Sequence, residues 1–385
     1  MKLAKRIDNL PPYLFAEIDK RVAEKRAQGV DVISLGIGDP VEPTPKHIID
    51  KLAEQAENAA NHRYPSYFGM PDFRRSIAGW YKKRFNVDLN PDTEVLPLIG
   101  SKEGIAHINF AVLDAGDTTL IADPGYPVYN TGAILAGVSP VHVPLVEEND
   151  FLPDLDAIDA GTREAAKMLM LNYPNNPTSA IAGDDFFKDL IGWGAKNQVI
   201  IAHDNPYSEI TFDGYVAPSF LQYPGAKEVG IEFNSLSKTY NMTGWRIGWA
   251  CGNAKVIEAL GRVKTNIDSG IFNAIQHAGI EALEGPQDII KEMCDIYQKR
   301  RDLVMDALGK LGLEAREPKA TIYVWVKVPG GYTSASFATH VLDSVGVIVS
   351  PGNAYGPSGE GYVRICLSVK DDRLVEALDR IRTLV

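Results

Sequence analysis

The spacing of apolar residues changes three times along the chain. Between residues 12 and 28 they fall at Leu14, Phe15, Ile18 and Val22, the period of a helix. DVISLGIGDP (31–40) predicts a short strand that breaks at Gly36, Gly38 and Pro40. From about residue 46 onward, helical and strand-like textures alternate. PKHIIDKLAEQAEN and PDFRRSIAGWYKKRF are helical by period. TEVLPLIG (93–100) is an apolar run stopping at a glycine, and SKEGIAHINFAVLDAG is the helix behind it. TTLIADPGYP, SPVHVPL, AKMLMLNYPNNP, NQVIIAHDNPY and EFNSLSK follow, each a short apolar run ending in polar and turn residues. Runs of this kind separated by helices predict a mostly parallel sheet buried on both faces. Beyond about residue 285 the texture changes again. QDIIKEMCDIYQKRRDLVMDALGKLG is a long amphipathic helix. TIYVWVKV (321–328) and YVRICLS (362–368) alternate with period two, as half-buried antiparallel strands do. The expected organisation is a large α/β domain over 45–285 and a smaller α+β domain from 1–44 and 286–385.

Composition narrows the function classes. The 385 residues suit one large domain plus a smaller one. A net charge of −11 argues against a nucleic-acid partner. Cys251, Cys294 and Cys366 are odd in number, far apart and without a CxxC, so neither a disulfide framework nor a metal site is suggested. The N-terminus has no long apolar stretch, and the chain has no uncharged run of 18 apolar residues. A soluble, cytoplasmic protein with no membrane partner is the expectation.

In parallel sheets ligands sit beyond the C-terminal ends of the strands, and there the unusual chemistry gathers. SLSKTYNMTGWRIGW (235–249) sets Lys238 in a small-residue turn. A lysine in a crowded apolar setting loses its proton readily and becomes a nucleophile able to form an imine with an aldehyde. A solvated loop lysine is the plainer alternative. Ser235, Ser237 and Arg246 shift the balance, because hydroxyls and a fixed fork of donors are what a phosphate monoester requires. A phosphate beside an imine-forming lysine points to pyridoxal 5′-phosphate.

That cofactor demands further parts. Its phosphate needs a helix N-terminus, and LIGSKEGIAH offers the backbone N–H groups of Ser101 and Lys102. Its pyridine nitrogen needs a carboxylate to stay protonated. Asp204 ends the run VIIAHD, and Tyr207 three residues on can bond the ring's 3-oxygen. Asn176 in NYPNNPT is a second donor to that oxygen, and Tyr126 in DPGYPVY is a stacking partner. Each residue also has a bland reading: a helix cap for Asp204, an Asn/Pro turn for Asn176, a core ring for Tyr126.

Taken together, the residues resemble a fold-type I pyridoxal-phosphate enzyme of the class I/II aminotransferase family. The matching strings run in order: GIGDP at 36–40, Tyr64 with Gly69 in YPSYFG, GSK at 100–102, DPGYP at 123–127 and NYPNNPT at 172–178. D-x-x-Y at 204–207, SLSK at 235–238, TGWRIGW at 243–249 and YVRICLS at 362–368 complete the set. Nine motifs in one order over nearly the whole chain are specific, though each alone is modest. Ser179 departs from the pattern, where many members have Gly, and is expected to face the following loop.

The resemblance implies an α/β fold with a mostly parallel seven-stranded sheet and a smaller α+β domain. It implies that Lys238 holds the cofactor and moves protons, that Asp204 pairs with the pyridine nitrogen, and that Tyr207 and Asn176 bond the 3-oxygen. Tyr126 stacks on the ring, while Ser101, Lys102, Ser235, Ser237 and Arg246 bind phosphate. Tyr64 reaches the phosphate of a neighbouring subunit, so a homodimer with shared sites is implied. Arg364, in an otherwise apolar strand, must face water or an anion, since a buried unpaired guanidinium costs several kcal/mol. The family's answer is the substrate α-carboxylate, with Gly38 as a second contact and Lys102, Tyr126 and Asn176 also touching substrate. More narrowly, RIDNLPPYLFAEIDK, IGSKEGIAH, HDNPYSEI and the stretch from SLSK to KTNIDSG are similar to bacterial LL-diaminopimelate aminotransferases, in which Tyr13 would also touch the substrate. General alanine- or aspartate-type aminotransferases and a non-transaminating lyase on the same cofactor stay open.

Two readings from other classes fit less well. LGIGDP is not GxGxxG, and Pro40 blocks the helix that a dinucleotide fingerprint needs. A DNA-binding regulator would need an extension that 30 residues before the first strand cannot hold.

Overall fold

The structure, a computed structural model, describes residues 2–11 and 14–384. Its strands are β1 (Ile33–Ser34), β2 (Val95–Leu98), β3 (Thr118–Asp123), β4 (Ser139–Pro144), β5 (Ala166–Asn172) and β6 (Ile200–Asp204). They continue with β7 (Gly230–Ser235), β8 (Gly248–Gly252), β9 (Tyr323–Lys327), β10 (Val347–Ile348), β11 (Ser350–Pro351) and β12 (Tyr362–Cys366). Seven of them form one sheet in the order β2-β8-β7-β6-β5-β3-β4. Neighbours from β7 through β4 pair in parallel, whereas β8 runs antiparallel to both β7 and β2.

The near-continuous apolar runs are explained by cores on both faces. In β5, Leu169 and Leu171 enter one buried cluster, while Met168 and Met170 enter the other. Each fully buried leucine stabilises the fold by about 1.5–3 kcal/mol relative to exposure. Strand β8 was legible only as part of a motif, because five residues bounded by Gly248 and Gly252 do not read as a strand. Gly248 has a local purpose. A Cβ there would stand 2.7 Å from the Asn234 carbonyl and 2.9 Å from the Ser101 amide nitrogen, so only glycine lets the helix Ser101–Val112 open this close to the sheet.

A second core gathers β9, β12 and the helices Asp288–Lys310 and Asp371–Arg382. The sheet β11-β12-β9 is antiparallel, and β1 pairs with β10 across more than 300 residues. The period-two pattern of β9 and β12 predicts half-buried strands, yet both are buried almost throughout. Val324, Val326, Val363 and Ile365 fill the second core. On the other face Trp325 packs into the core of the seven-stranded sheet, and Arg364 lies opposite it in register. The polar-looking face therefore covers a site instead of meeting water. Among the described residues, no helix is long and apolar enough to cross a membrane, and no cluster of His, Cys, Asp and Glu could hold a metal.

Candidate active site

Three adjacent parallel strands end in polar residues: β5 in Asn172, β6 in Asp204 and β7 in Ser235. Beyond them lies a cavity of about 360 Å³. Lys238, Asp204, Tyr207, Asn176, Tyr126 and Gly38 line it, and so do Ser101, Lys102, Ser235, Ser237, Arg246 and Arg364. Chain segments as far apart in sequence as Gly38 and Arg364 thus converge on one space. Two expected residues do not join them. Tyr64 is 84% exposed and lies outside the cavity lining. Tyr13 falls outside the described residues.

Lys238 sits on the short helical turn Leu236–Thr239 directly after β7. Ser235 caps that turn, its Oγ accepting from the Ser237 amide at 3.1 Å and donating to the Ser237 hydroxyl at 2.9 Å. The Lys238 ammonium donates to the Gly38 carbonyl. Desolvation, aided by the positive charges of Arg364 and Arg246, pulls its pKa down to about 8. Its neutral fraction near neutral pH, roughly a tenth, is far larger than an ordinary lysine's, as a nucleophile or proton acceptor requires.

Asp204 shows the opposite shift. Burial pushes its pKa up to about 7; the Tyr129 hydroxyl, bonded to Oδ2 at 2.9 Å, opposes the rise, and the charge of Glu232 adds to it. Its Oδ1 is buried with no hydrogen-bond partner. Such an atom is costly unless something meets it. Asn172 fixes the loop beside it, donating to the Asp204 carbonyl at 2.5 Å and accepting from the Asn176 amide at 2.6 Å. Beneath the sheet, His203 and Glu232 are fully buried partners at 3.0 Å. His203 Nε2 accepts from the Tyr173 amide, so its proton lies on Nδ1 and points to Glu232.

Arg364 is 1% exposed, which rules out a solvated strand face. One terminal nitrogen donates to Asn176 Oδ1 and the other to the Gly36 carbonyl, both at 2.7 Å. The guanidinium lies 4.0 Å from the centroid of the Tyr323 ring and 4.8 Å from that of Tyr355. Its Nε is buried without a partner. Arg246, by contrast, is exposed and held in a left-handed backbone conformation, with one donor on the Thr243 carbonyl at 2.7 Å. Its guanidinium lies so close to Gly100 that a Cβ there would stand 2.3 Å from it.

Sequence reasoning gave no role to Tyr129, Tyr323 or Asn172, the residue that opens the quoted NYPNNPT. Tyr129 lies inside the quoted DPGYPVY, one helical turn after Tyr126, so its spacing carried a signal. Tyr323 carried none, because in TIYVWVKV it reads as one more strand aromatic. Its hydroxyl meets that of Tyr207 at 2.9 Å. Ser179 was expected to face the loop that follows it. Its hydroxyl instead spans to Thr321 Oγ1 at 2.7 Å and the Tyr323 carbonyl at 2.8 Å. Both Ser179 and Thr321 have positive φ, 60° and 75°.

Comparison with known proteins agrees with this geometry. Residues 30–381 match the family described as aminotransferase class I and II. The chain is 58% identical over 382 residues to the LL-diaminopimelate aminotransferase of Halothermothrix orenii, covering 99% of this chain and 98% of that one. It is 57% identical over 385 residues to the LL-diaminopimelate aminotransferase of Moorella thermoacetica, covering 100% and 99%. Among solved structures, substrate-bound BacF from Bacillus subtilis overlays with a TM-score of 0.96 at 36% identity, covering 100% of this chain and 98% of that one.

Proposed function

From a chain that belongs to the class I and II aminotransferases, we propose a pyridoxal-phosphate enzyme that moves an amino group from LL-diaminopimelate to 2-oxoglutarate in lysine synthesis. The cofactor reading rests on one observation above others. A lysine with a lowered pKa and a buried carboxylate with an unpartnered oxygen face the same cavity. The donor reading rests on identity of 57–58% across the whole chain to two proteins of that activity.

The residues fit the group. Asp204 Oδ1 is a buried acceptor without a partner, suited to a pyridinium proton. Gly100 leaves the room that Arg246 and the start of the helix Ser101–Val112 share, so Ser101, Lys102, Ser235, Ser237 and Arg246 would hold a phosphate. Bound there, pyridoxal phosphate supplies an electron-accepting ring that acidifies the α-hydrogen of an attached amino acid. Asp204 would keep the ring nitrogen protonated. Tyr207 would donate to the 3-oxygen. Asn176 has its Oδ1 on Arg364, which leaves Nδ2 as its donor to the same oxygen. Tyr126 would stack on the ring. Lys238 Nζ would be the group that takes and returns the α-proton, which its lowered pKa suits.

Arg364 would bind the α-carboxylate, with the Gly38 amide, Lys102, Tyr126 and Asn176 as further substrate contacts; Tyr13, the remaining expected contact, lies outside the described residues. The exposed segment carrying Tyr64, Tyr67 and Phe68 supports a homodimer in which Tyr64 reaches the partner's phosphate site. Residues 45–285 form the cofactor-holding unit in this reading, and 1–44 with 286–385 the smaller one.

A steady-state panel tests the donor. With 2-oxoglutarate as acceptor, kcat/KM for LL-diaminopimelate should exceed that for L-aspartate and L-alanine by at least about tenfold, the value of one well-made polar contact. Equal values for alanine or aspartate would reject the donor and leave the family standing.

A further inference from the structure

One side chain outside the expected set touches both halves of the site. Tyr323 is 3% exposed. Its hydroxyl meets the Tyr207 hydroxyl at 2.9 Å, and its ring face carries the Arg364 guanidinium at 4.0 Å. It also closes against the glycine turn, for a Cβ on Gly38 would stand 2.2 Å from the Tyr323 oxygen. The backbone around it is fixed at some cost. Thr321, a β-branched residue, is held at φ 75° by the Ile210 carbonyl accepting from its amide and by Ser179 bonding its hydroxyl. Ser179 also bonds the Tyr323 carbonyl. A ring that served only as filler needs neither a hydroxyl aimed at a second phenol nor a strained turn to aim it.

We infer that Tyr323 is a positioning residue with two separable tasks: its hydroxyl makes Tyr207 a better donor toward the cofactor's 3-oxygen, and its ring holds Arg364 flat for a carboxylate. The inference rests on the functional reading above. Two hydroxyls in series polarise each other. When Tyr207 donates onward, its own oxygen accepts from Tyr323 and its proton becomes more acidic. In the cofactor-loaded protein a stronger donor to the 3-oxygen would compete with a proton shared between that oxygen and the Lys238 nitrogen. That proton is therefore held less tightly, and losing the Tyr323 hydroxyl should let it be held more tightly. The ring acts by a different route. Asn176 and Gly36 take the two terminal nitrogens of Arg364, and the Tyr323 face fixes the plane in which the remaining donors lie.

The two tasks give different signatures in the holoenzyme. The first measurement is the midpoint of the pH titration of the bound cofactor's visible absorbance. The second is the dissociation constant of pimelate, which has the seven-carbon chain and both carboxylates of diaminopimelate without its amines. Tyr323→Phe should raise the midpoint by at least about half a pH unit and leave pimelate binding within about twofold. Tyr323→Leu should raise the midpoint as well and weaken pimelate by about tenfold or more. An unchanged midpoint in Tyr323→Phe overturns the inference whatever the leucine variant does. Parental pimelate affinity in a cofactor-loaded Tyr323→Leu overturns the second task. A parent protein that takes up no pyridoxal phosphate overturns the functional reading instead.

Discussion

Arg246 and Arg364 line the same cavity around Lys238, yet the chain builds their surroundings in opposite ways. Arg246 is exposed, and its partner is a carbonyl three residues back. The lysine and both serines of its group lie within the preceding eleven residues. Arg364 is buried, and its partners lie 188 and 328 residues away, with two aromatic rings against its face. The first arrangement is short-range and tolerant, since solvent can replace a lost contact. The second is long-range, and removing one member strands a buried charge or a buried acceptor. One cavity thus has a half that grips by local turns and a half that depends on the whole fold.

The strongest way to break the contrast is Arg364→Leu. Losing a desolvated guanidinium that meets a carboxylate costs about 2–5 kcal/mol, so kcat/KM should fall by roughly a thousandfold while cofactor content stays normal. Arg364→Lys should rescue little, because a lysine has neither the planar fork nor a face to stack. Arg246→Ala is the counterpart. Loss of charge-assisted bonds worth about 1.5–3 kcal/mol should weaken cofactor affinity by about 10- to 100-fold in equilibrium dialysis. At saturating cofactor, kcat/KM should then fall only a few-fold. Either arginine changing both readouts equally would erase the distinction.

Asp204 belongs to neither half, and its protonation sharpens what the floor of the site costs. Because burial lifts its pKa to about 7, the folded protein binds more protons than the unfolded chain between the usual carboxylate range and pH 7. Stability of the cofactor-stripped protein therefore falls as pH rises through that window. Lys238, pulled down to about 8, makes the folded protein bind fewer protons above pH 8, so stability returns toward its ordinary value near 10.5. Asp204→Asn should raise the melting temperature of stripped protein by a few degrees at pH 8 and by clearly less at pH 5. A variant equally shifted at both pH values would mean that charge is not the cause. The smallest effect is expected at Ser179. Ser179→Gly relieves a positive φ but gives up two hydrogen bonds, terms of about 1 kcal/mol each, so the change should stay near 1 kcal/mol. Ser179→Ala keeps the strain and loses the bonds, and should be the less stable of the two in urea unfolding.

The same contrast explains what could be read from the chain. Motifs state local geometry well: SLSK carries its own cap, and GSK opens its own helix, so the lysine, serines and Arg246 were legible from order and spacing. Asp204 was legible because strands of one sheet end together. Tyr323, Thr321 and the role of Ser179 were not. Each acquires its meaning from a contact across more than a hundred residues, and none departs from what a buried strand or turn ordinarily contains. The full burial of β9 and β12 was missed for a related reason. Period-two alternation separates two faces, but it does not say that the second face will be covered by another part of the chain.

The bond from Arg364 to the Gly36 carbonyl and the pairing of β1 with β10 also set a clock. Chains are made from the N-terminus at roughly 5–20 residues per second, so the partner of Gly36 emerges roughly 16–65 s after it. All seven strands of the large sheet are complete by Gly252, whereas Ile33 and Leu35, 2% and 0% exposed in the finished protein, take their backbone partners from Gly346, Ile348 and Cys366, all made late. Ribosome-held chains ending near residue 320 should bind hydrophobic probes at this segment, and chains of full length should not; equal binding by the two would refute the delay. Until then the birth of the enzyme leaves its first strand uncovered, a liability for a nascent chain in a crowded cell and a natural place for a chaperone to hold.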